Sequence, residues 1–349
     1  MDNASSGNTP KRKKEHLELC LTEKVAFKNK SNGLERYEFI HNAITALDPE
    51  KIDLSREFFG HRISYPFLIS CMTGGTSEAE NINQQLAVAA NELNIPLGVG
   101  SQRQALENSH FAESYRVVRK NAPGIPILGN IGAAQLVQMS SLREIEYLVE
   151  LIEAQAMVIH LNPLQELLQK GGDTNFSGLL EKIEWLSKNI SVPVVAKEVG
   201  AGISKAAAKS LLEAGVRAID VAGAGGTSWA GVEILRNKED ENSEFWDWGL
   251  PTSYCIREVR PLKDEYDFLL IASGGISSGM EIAKAIALGA DMAASARIVL
   301  QKLHHEGITG VKELIVGWFD VVKKVMYLTG SARLEELQEQ KLIKKEELY

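Results

Sequence analysis

Several short stretches of this chain place glycines or polar side chains where an apolar run stops. Ser273-Gly274-Gly275-Ile276 leads into Ser277-Ser278-Gly279, and Ala296-Arg297 closes another apolar run. Glycines let backbone N–H groups approach an anion, and a helix starting there adds its dipole. The two stretches read as a phosphate cradle, although ordinary turns use the same glycines. Ala222-Gly223-Ala224-Gly225-Gly226-Thr227-Ser228-Trp229 makes either a flat backbone surface for a planar ring or a flexible loop. Lys197-Glu198-Val199-Gly200 ends a run with a cation that a core would not choose. Such a lysine is costly unless it reaches water or a partner, and a Lys–Glu pair is the plain alternative.

Ser70-Cys71-Met72-Thr73-Gly74-Gly75, Gly100-Ser101-Gln102-Arg103 and Gly129-Asn130-Ile131-Gly132 follow the same plan. Thr73, Ser101 and Asn130 carry groups that can bond ring heteroatoms. In His160-Leu161-Asn162-Pro163-Leu164-Gln165-Glu166, period two turns His160 and Asn162 the same way. Glu166 is a hard carboxylate suited to Mg²⁺, or one member of a turn cluster. The basic run Lys11-Arg12-Lys13-Lys14-Glu15-His16 reads from composition as a solvated tail. The functional alternative is an arm over a diphosphate, with Arg giving a fork and Lys a point charge.

These stretches need a scaffold that brings them together. Apolar, β-branched runs at Pro66–Met72, Ile95–Val99, Ile125–Ile131, Ala156–Leu161, Val192–Lys197, Ala218–Ala222, Phe268–Ala272 and Asp291–Ala296 read as buried parallel strands. Amphipathic segments separate them: Glu78–Leu93, Ser204–Ala214 and Ser278–Leu288, the last two opening on a capping serine and closing before a glycine. The alternation predicts an α/β fold, a (β/α)8 TIM barrel with an N-terminal extension and an insertion after the sixth strand. An open parallel sheet is the alternative. The expected division is a disordered tail at 1–10, an arm and cap at 11–65, the barrel at 66–330 and a C-terminal helix at 331–349. A helical segment near Arg36–Ala43 is expected to cover one barrel end. The insertion, Asn237 to Leu262, carries Phe245, Trp246 and Trp248 and suits a lid or an oligomer contact.

Composition narrows the function. A hydrophobic share of 44% provides for a large core, and a net charge of −8 argues against general nucleic-acid affinity. Three scattered cysteines form neither a disulfide framework nor a metal-type pair, which favours a reducing compartment. No apolar run follows the basic N-terminal stretch, so no signal peptide is expected, and none reaches the ~20 residues of a membrane span.

Taken together and in order, the strand ends resemble the type 2 isopentenyl-diphosphate isomerases from about Arg12 to about Gly330. The motifs are Arg12-Lys13-x-x-His16, Met72-Thr73-Gly74-Gly75, Gly100-Ser101-Gln102-Arg103, His160-x-Asn162-x-x-Gln165-Glu166, Lys197-Glu198-Val199-Gly200 and Gly225-Gly226-Thr227-Ser228-Trp229. The resemblance implies interconversion of isopentenyl and dimethylallyl diphosphate, with reduced FMN as an acid–base group, NADPH as its reductant, Mg²⁺, and a cytoplasmic homo-oligomer, a tetramer or octamer. It places FMN contacts on Cys71, Met72, Thr73, Ser101, Asn130, Lys197, Thr227, Gly274, Gly275, Ala296 and Arg297. Substrate contacts fall on Arg12, Lys13, Ser101, Gln102, Arg103, His160, Asn162 and Gln165, and Mg²⁺ on Glu166. Catalytic roles fall on His160, Gln165, Glu166, Trp229 and Glu233. The chain departs from the family at Ser277, usually Arg, and at Ala294 and Ile298, often Gly and Pro; the backbone donors survive these changes. A 2-hydroxy acid oxidase or dehydrogenase of the same FMN barrels would need a His base and an Arg after the seventh strand. Beyond His160 the chain has only His304 and His305. A non-catalytic phosphate- or flavin-binding scaffold is the third reading.

Overall fold

The computed structural model describes residues 9–348. The expected tail at 1–10 therefore lies outside the described residues for 1–8, and Thr9 opens a helix, Thr9–Cys20. Eight parallel strands close a barrel: β1 Phe67–Ile69, β2 Leu97–Gly98, β3 Ile127–Gly132, β4 Ala156–Leu161, β5 Val194–Glu198, β6 Ala218–Asp220, β7 Leu269–Ala272 and β8 Met292–Ser295. They neighbour one another in chain order, and β8 closes on β1 with Ala293 opposite Phe67. Each lies within a predicted run or passes its end by one residue. The first is shorter than its apolar run because from Ser70 the chain leaves the ladder for a loop.

Alternation along the strands sorts the two sides of the wall. Leu68, Leu128, Val158, Val195, Ala218, Ile271 and Ala294 pack in the barrel interior. Phe67, Ile69, Ile127, Ile159 and Leu270 belong to the larger core under the helices. The helices Ser77–Leu93, Lys205–Glu213 and Gly279–Ala287 follow the predicted pattern, each capped by the preceding Thr76, Ser204 or Ser278.

The N-terminal extension departs from expectation. Tyr37–Phe39 is a strand, not part of a helix, and pairs antiparallel with Leu342–Lys344. The segment expected to be one C-terminal helix holds a single turn-and-a-half, Leu334–Gln338, before that strand. The two short strands supply each other's backbone hydrogen-bond partners. The barrel floor is plugged by a hairpin, Arg56–Phe58 with His61–Ile63. Its turn residues Phe59 and Gly60 both have positive φ, as a tight hairpin turn requires. Fully buried Phe58 and Ile63 join the interior cluster. Asp291, just before β8, locks this end by accepting from Arg56 at 2.6 Å and from the Leu270 N–H at 2.7 Å. Among the described residues no helix is long and apolar enough to cross a membrane.

Candidate active site

Two residues beyond the interior apolar layer, six of the seven strands that supply that layer turn polar, and the seventh reaches the small Ala296. Leu68 is followed by Ser70, Leu128 by Asn130, Val158 by His160, Val195 by Lys197, Ala218 by Asp220, Ile271 by Ser273 and Ala294 by Ala296. Period two aims all seven into the barrel at its C-terminal end, where barrels carry their chemistry. Above them opens a cavity of about 510 Å³. Its volume suits a cofactor-sized ligand.

The polar layer is internally bonded. His160 Nδ1 lies 2.8 Å from Asn130 Oδ1, and Asn130 Nδ2 donates to the Val99 carbonyl at 3.1 Å. That amide orientation makes Nδ1 the protonated nitrogen of His160 and leaves Nε2 as an acceptor. Burial, then the charges of Lys197 and Lys13, pushes the His160 pKa down to about 4. Lys197 donates to the Glu198 carbonyl at 2.8 Å and faces Asp220 Oδ2 at 3.8 Å. The plain Lys–Glu side-chain pairing does not occur. The Glu198 carboxylate instead accepts the N–H groups of Val199, Gly200 and Ala201 at 2.5–2.6 Å, fixing the loop after β5.

The glycines of the two loops are needed for close packing as well as for a ligand surface. A Cβ on Gly226 would meet the Gly275 nitrogen at 2.5 Å, and one on Gly274 would meet the Gly223 oxygen at 2.0 Å. Gly274 and Gly275 have φ of 101° and 75°. Next to them the helical segment Arg297–Thr329, broken by a kink at Gly307, begins at the cavity wall, so its first-turn N–H groups face a phosphate position, with the Arg297 side chain beside it reaching Thr22 O and Glu23 at 3.5 Å. This end fits FMN phosphate, and Lys197 fits the polar edge of its ring.

The basic run is not a solvated tail. Its helix lies across the mouth: Lys13 Nζ donates to the carbonyls of Gly74 at 2.5 Å and Ser101 at 3.3 Å. His16 Nε2 sits 2.8 Å from Glu233 Oε1, and Glu15 pairs with Arg236 at 3.1 Å. Burial, then Arg12, lowers the Lys13 pKa to about 7. The insertion holds the root of this arm. The indole N–H of buried Trp246 donates to Ala26 O at 2.9 Å, and Asp247 accepts the N–H groups of Lys28 and Asn29. Its other aromatics, Phe245 and Trp248, stay exposed.

Of the residues expected at the site, all but two line the cavity. Gln102 is fully buried behind it, donating to Leu148 O and accepting from Asn130 N–H, so it orients Asn130 instead of touching a substrate. Glu233 lies behind His16 and Gln165, bonded to both and to Arg236. Asn130 likewise spends its side chain on His160 and Val99. Glu166 accepts from Asn162 at 3.0 Å and from the Asp173 N–H at 2.8 Å. Among the described residues no three His, Cys, Asp or Glu side chains gather to hold a metal alone. A cation on Glu166 must therefore share its other ligands with water and a substrate, the usual habit of Mg²⁺; the Glu166 carboxylate, beside the buried and unpartnered Asn162 Oδ1, fits that role. Sequence reading missed Asp220, Gln135 and Asp173. Asp220 was findable, being the member of the period-two series on β6.

The sequence matches the family described as FMN-dependent dehydrogenase over residues 5–117 and 132–344. It is 45% identical to the isopentenyl-diphosphate delta-isomerase of Pelodictyon phaeoclathratiforme, over 99% of this chain and 100% of that one. The chain belongs to the isopentenyl-diphosphate delta-isomerase family, within the FMN-dependent dehydrogenases. The protein of that name from Nostoc sp. is also 45% identical over 96% of both chains. Solved structures with the same fold include mandelate oxidase with benzoyl-formic acid, at TM-score 0.67 and 16% identity over 97% of this chain and 98% of that one. A flavocytochrome b2 variant gives TM-score 0.68 and 19% identity over 92% and 80%. At such identities these structures speak for the fold alone.

Proposed function

We propose that this member of the family interconverts isopentenyl diphosphate and dimethylallyl diphosphate, using FMN, with Mg²⁺ on the diphosphate. The observation that carries the reading is the single cavity shared by the flavin-type floor and the cationic arm. Reduced FMN, when bound, supplies an electron-rich ring and an acid–base group at which a proton is exchanged without net redox change. The chain's residues do the rest. Arg12, Lys13 and Arg103 stand around the position for the diphosphate, and Glu166 would hold the cation that offsets its charge. Binding energy from that remote group fixes an alkene that offers no polar handle of its own. Gln165 is held by Asn162 at 3.1 Å and Glu233 at 3.3 Å, so its amide faces the cavity in one orientation. Trp229 meets His16 edge-to-face at 5.2 Å and walls the site, while the arm helix excludes water.

The hydroxy-acid oxidase reading is weaker. His304 and His305 are exposed on the long helix and do not line the cavity. NADPH as reductant, a homo-oligomeric tetramer or octamer and a cytoplasmic location belong to the proposal through the resemblance alone. The test is incubation of FMN-loaded protein with a reductant, Mg²⁺ and isopentenyl diphosphate, following dimethylallyl diphosphate. Flavin-loaded, reduced, folded protein that forms none overturns the reading.

A further inference from the structure

We propose that Asp173 is a positioning residue that ties the cation-binding carboxylate to the anion-binding arginine. This rests on the diphosphate reading of the site. Asp173 lies on the loop after the short helix Pro163–Leu168. Its N–H donates to Glu166 Oε2 at 2.8 Å. Its own carboxylate accepts from Arg103 Nη1 at 3.2 Å and from Gln135 Nε2 at 3.1 Å. One residue thus bonds Glu166, Arg103 and Gln135, all of which line the cavity while it does not.

The local backbone is built for this approach. A Cβ on the preceding Gly172 would lie 2.0 Å from the Glu166 carbonyl and 3.0 Å from its Oε2, so only glycine lets the loop reach the carboxylate. Arg103 has two carboxylate partners on opposite sides. Glu107, one turn along its own helix, takes Nε at 2.7 Å, and Asp173, across the mouth, takes Nη1. Without the Asp173 carboxylate the guanidinium is drawn only toward Glu107, and the loop whose N–H bonds Glu166 loses its anchors on Arg103 and Gln135. A negative residue beside a diphosphate would repel it if it acted directly. Acting through Arg103 and Glu166, it strengthens anion binding instead.

The test is calorimetric binding of inorganic pyrophosphate with Mg²⁺ to the FMN-loaded protein, which needs no turnover. Asp173→Ala is expected to weaken binding roughly tenfold or more and raise the Mg²⁺ needed for half-saturation, with flavin content unchanged. Combined with Arg103→Ala, its effect should be markedly less than additive, which a general loss of structure would not produce. Asp173→Asn keeps the volume and one acceptor; it should fall between, and it decides the matter if the alanine variant does not fold. Unchanged or tighter pyrophosphate binding in a folded variant, additivity with Arg103→Ala, or wild-type protein that binds no pyrophosphate each overturns the proposal. Protein that binds pyrophosphate through Asp173 yet isomerises nothing would overturn the function and leave this role standing.

Discussion

Lys197 and Asp220 stand opposite each other on adjacent strands, with Nζ 3.8 Å from Oδ2 at the floor of the cavity. Asp220 Oδ1 accepts from Ser273 Oγ at 2.5 Å, whereas Oδ2 has no hydrogen-bond partner. Both residues are almost fully buried, so each charge depends on the other.

That dependence separates stability from cofactor binding. Lys197→Ala is expected to cost about 3–5 kcal/mol by stranding the Asp220 charge, and to lower flavin content sharply. Adding Asp220→Ala should recover much of the thermal stability but none of the flavin. Flavin content and activity at the wild-type level in the single variant would remove Lys197 from the site.

His160 carries a pH signature. Its folded pKa, near 4, lies below the ordinary imidazole value because burial and two lysines disfavour the cation. The unfolded chain therefore binds the extra proton between pH 6.5 and 4. The contribution is fully present above pH 6.5 and is lost as pH falls through that window. Histidine NMR should show His160 neutral at pH 6, with a proton on Nδ1, and His160→Gln should flatten this part of the acid unfolding curve. An imidazolium at pH 6 in the free protein would contradict the arrangement.

Lys13 gives the opposite dependence for binding. With its pKa lowered to about 7, it is half deprotonated near neutrality, while a bound anion favours the charged form. Pyrophosphate affinity should fall as pH rises above 7, with uptake of up to one proton per anion, measured by calorimetry in buffers of different ionisation enthalpy. Lys13→Gln should weaken binding and abolish the uptake.

The glycine cradle can be tested against a control that also has a positive φ. Gly274→Ala places a methyl group 2.0 Å from the Gly223 oxygen, and it should abolish stable FMN binding. Gly307→Ala also sits at positive φ but meets nothing within 4 Å. It should cost about 1 kcal/mol and leave flavin affinity untouched. Equal flavin loss in both would point to general destabilisation.

Glu166→Gln keeps the bonds to one oxygen but removes the charge. Activity should need much higher Mg²⁺, roughly tenfold or more, with flavin content unchanged. An unaltered Mg²⁺ requirement would take the cation away from Glu166.

The sequence by itself determined the barrel. Eight short apolar runs between capped helices must bury both faces in a parallel sheet, their number favours closing it, and their polar ends named much of the cavity lining. Local pattern carries that much because strand alternation and helix capping depend on neighbours along the chain. Only the tertiary structure decided the rest. Lys11 to His16 look like a solvated tail until Glu233, Gly74 and Ser101 appear as their partners, more than 60 residues away. Tyr37–Phe39 became a strand because Leu342–Lys344 reached it from the other end of the chain. Gln102 and Asn130 carry the same amide groups as a ligand-binding pair, and burial against Leu148, Val99 and His160 turned them inward. A polar side chain announces that it needs a partner, but which partner it finds is settled by long-range packing, which sequence spacing does not encode.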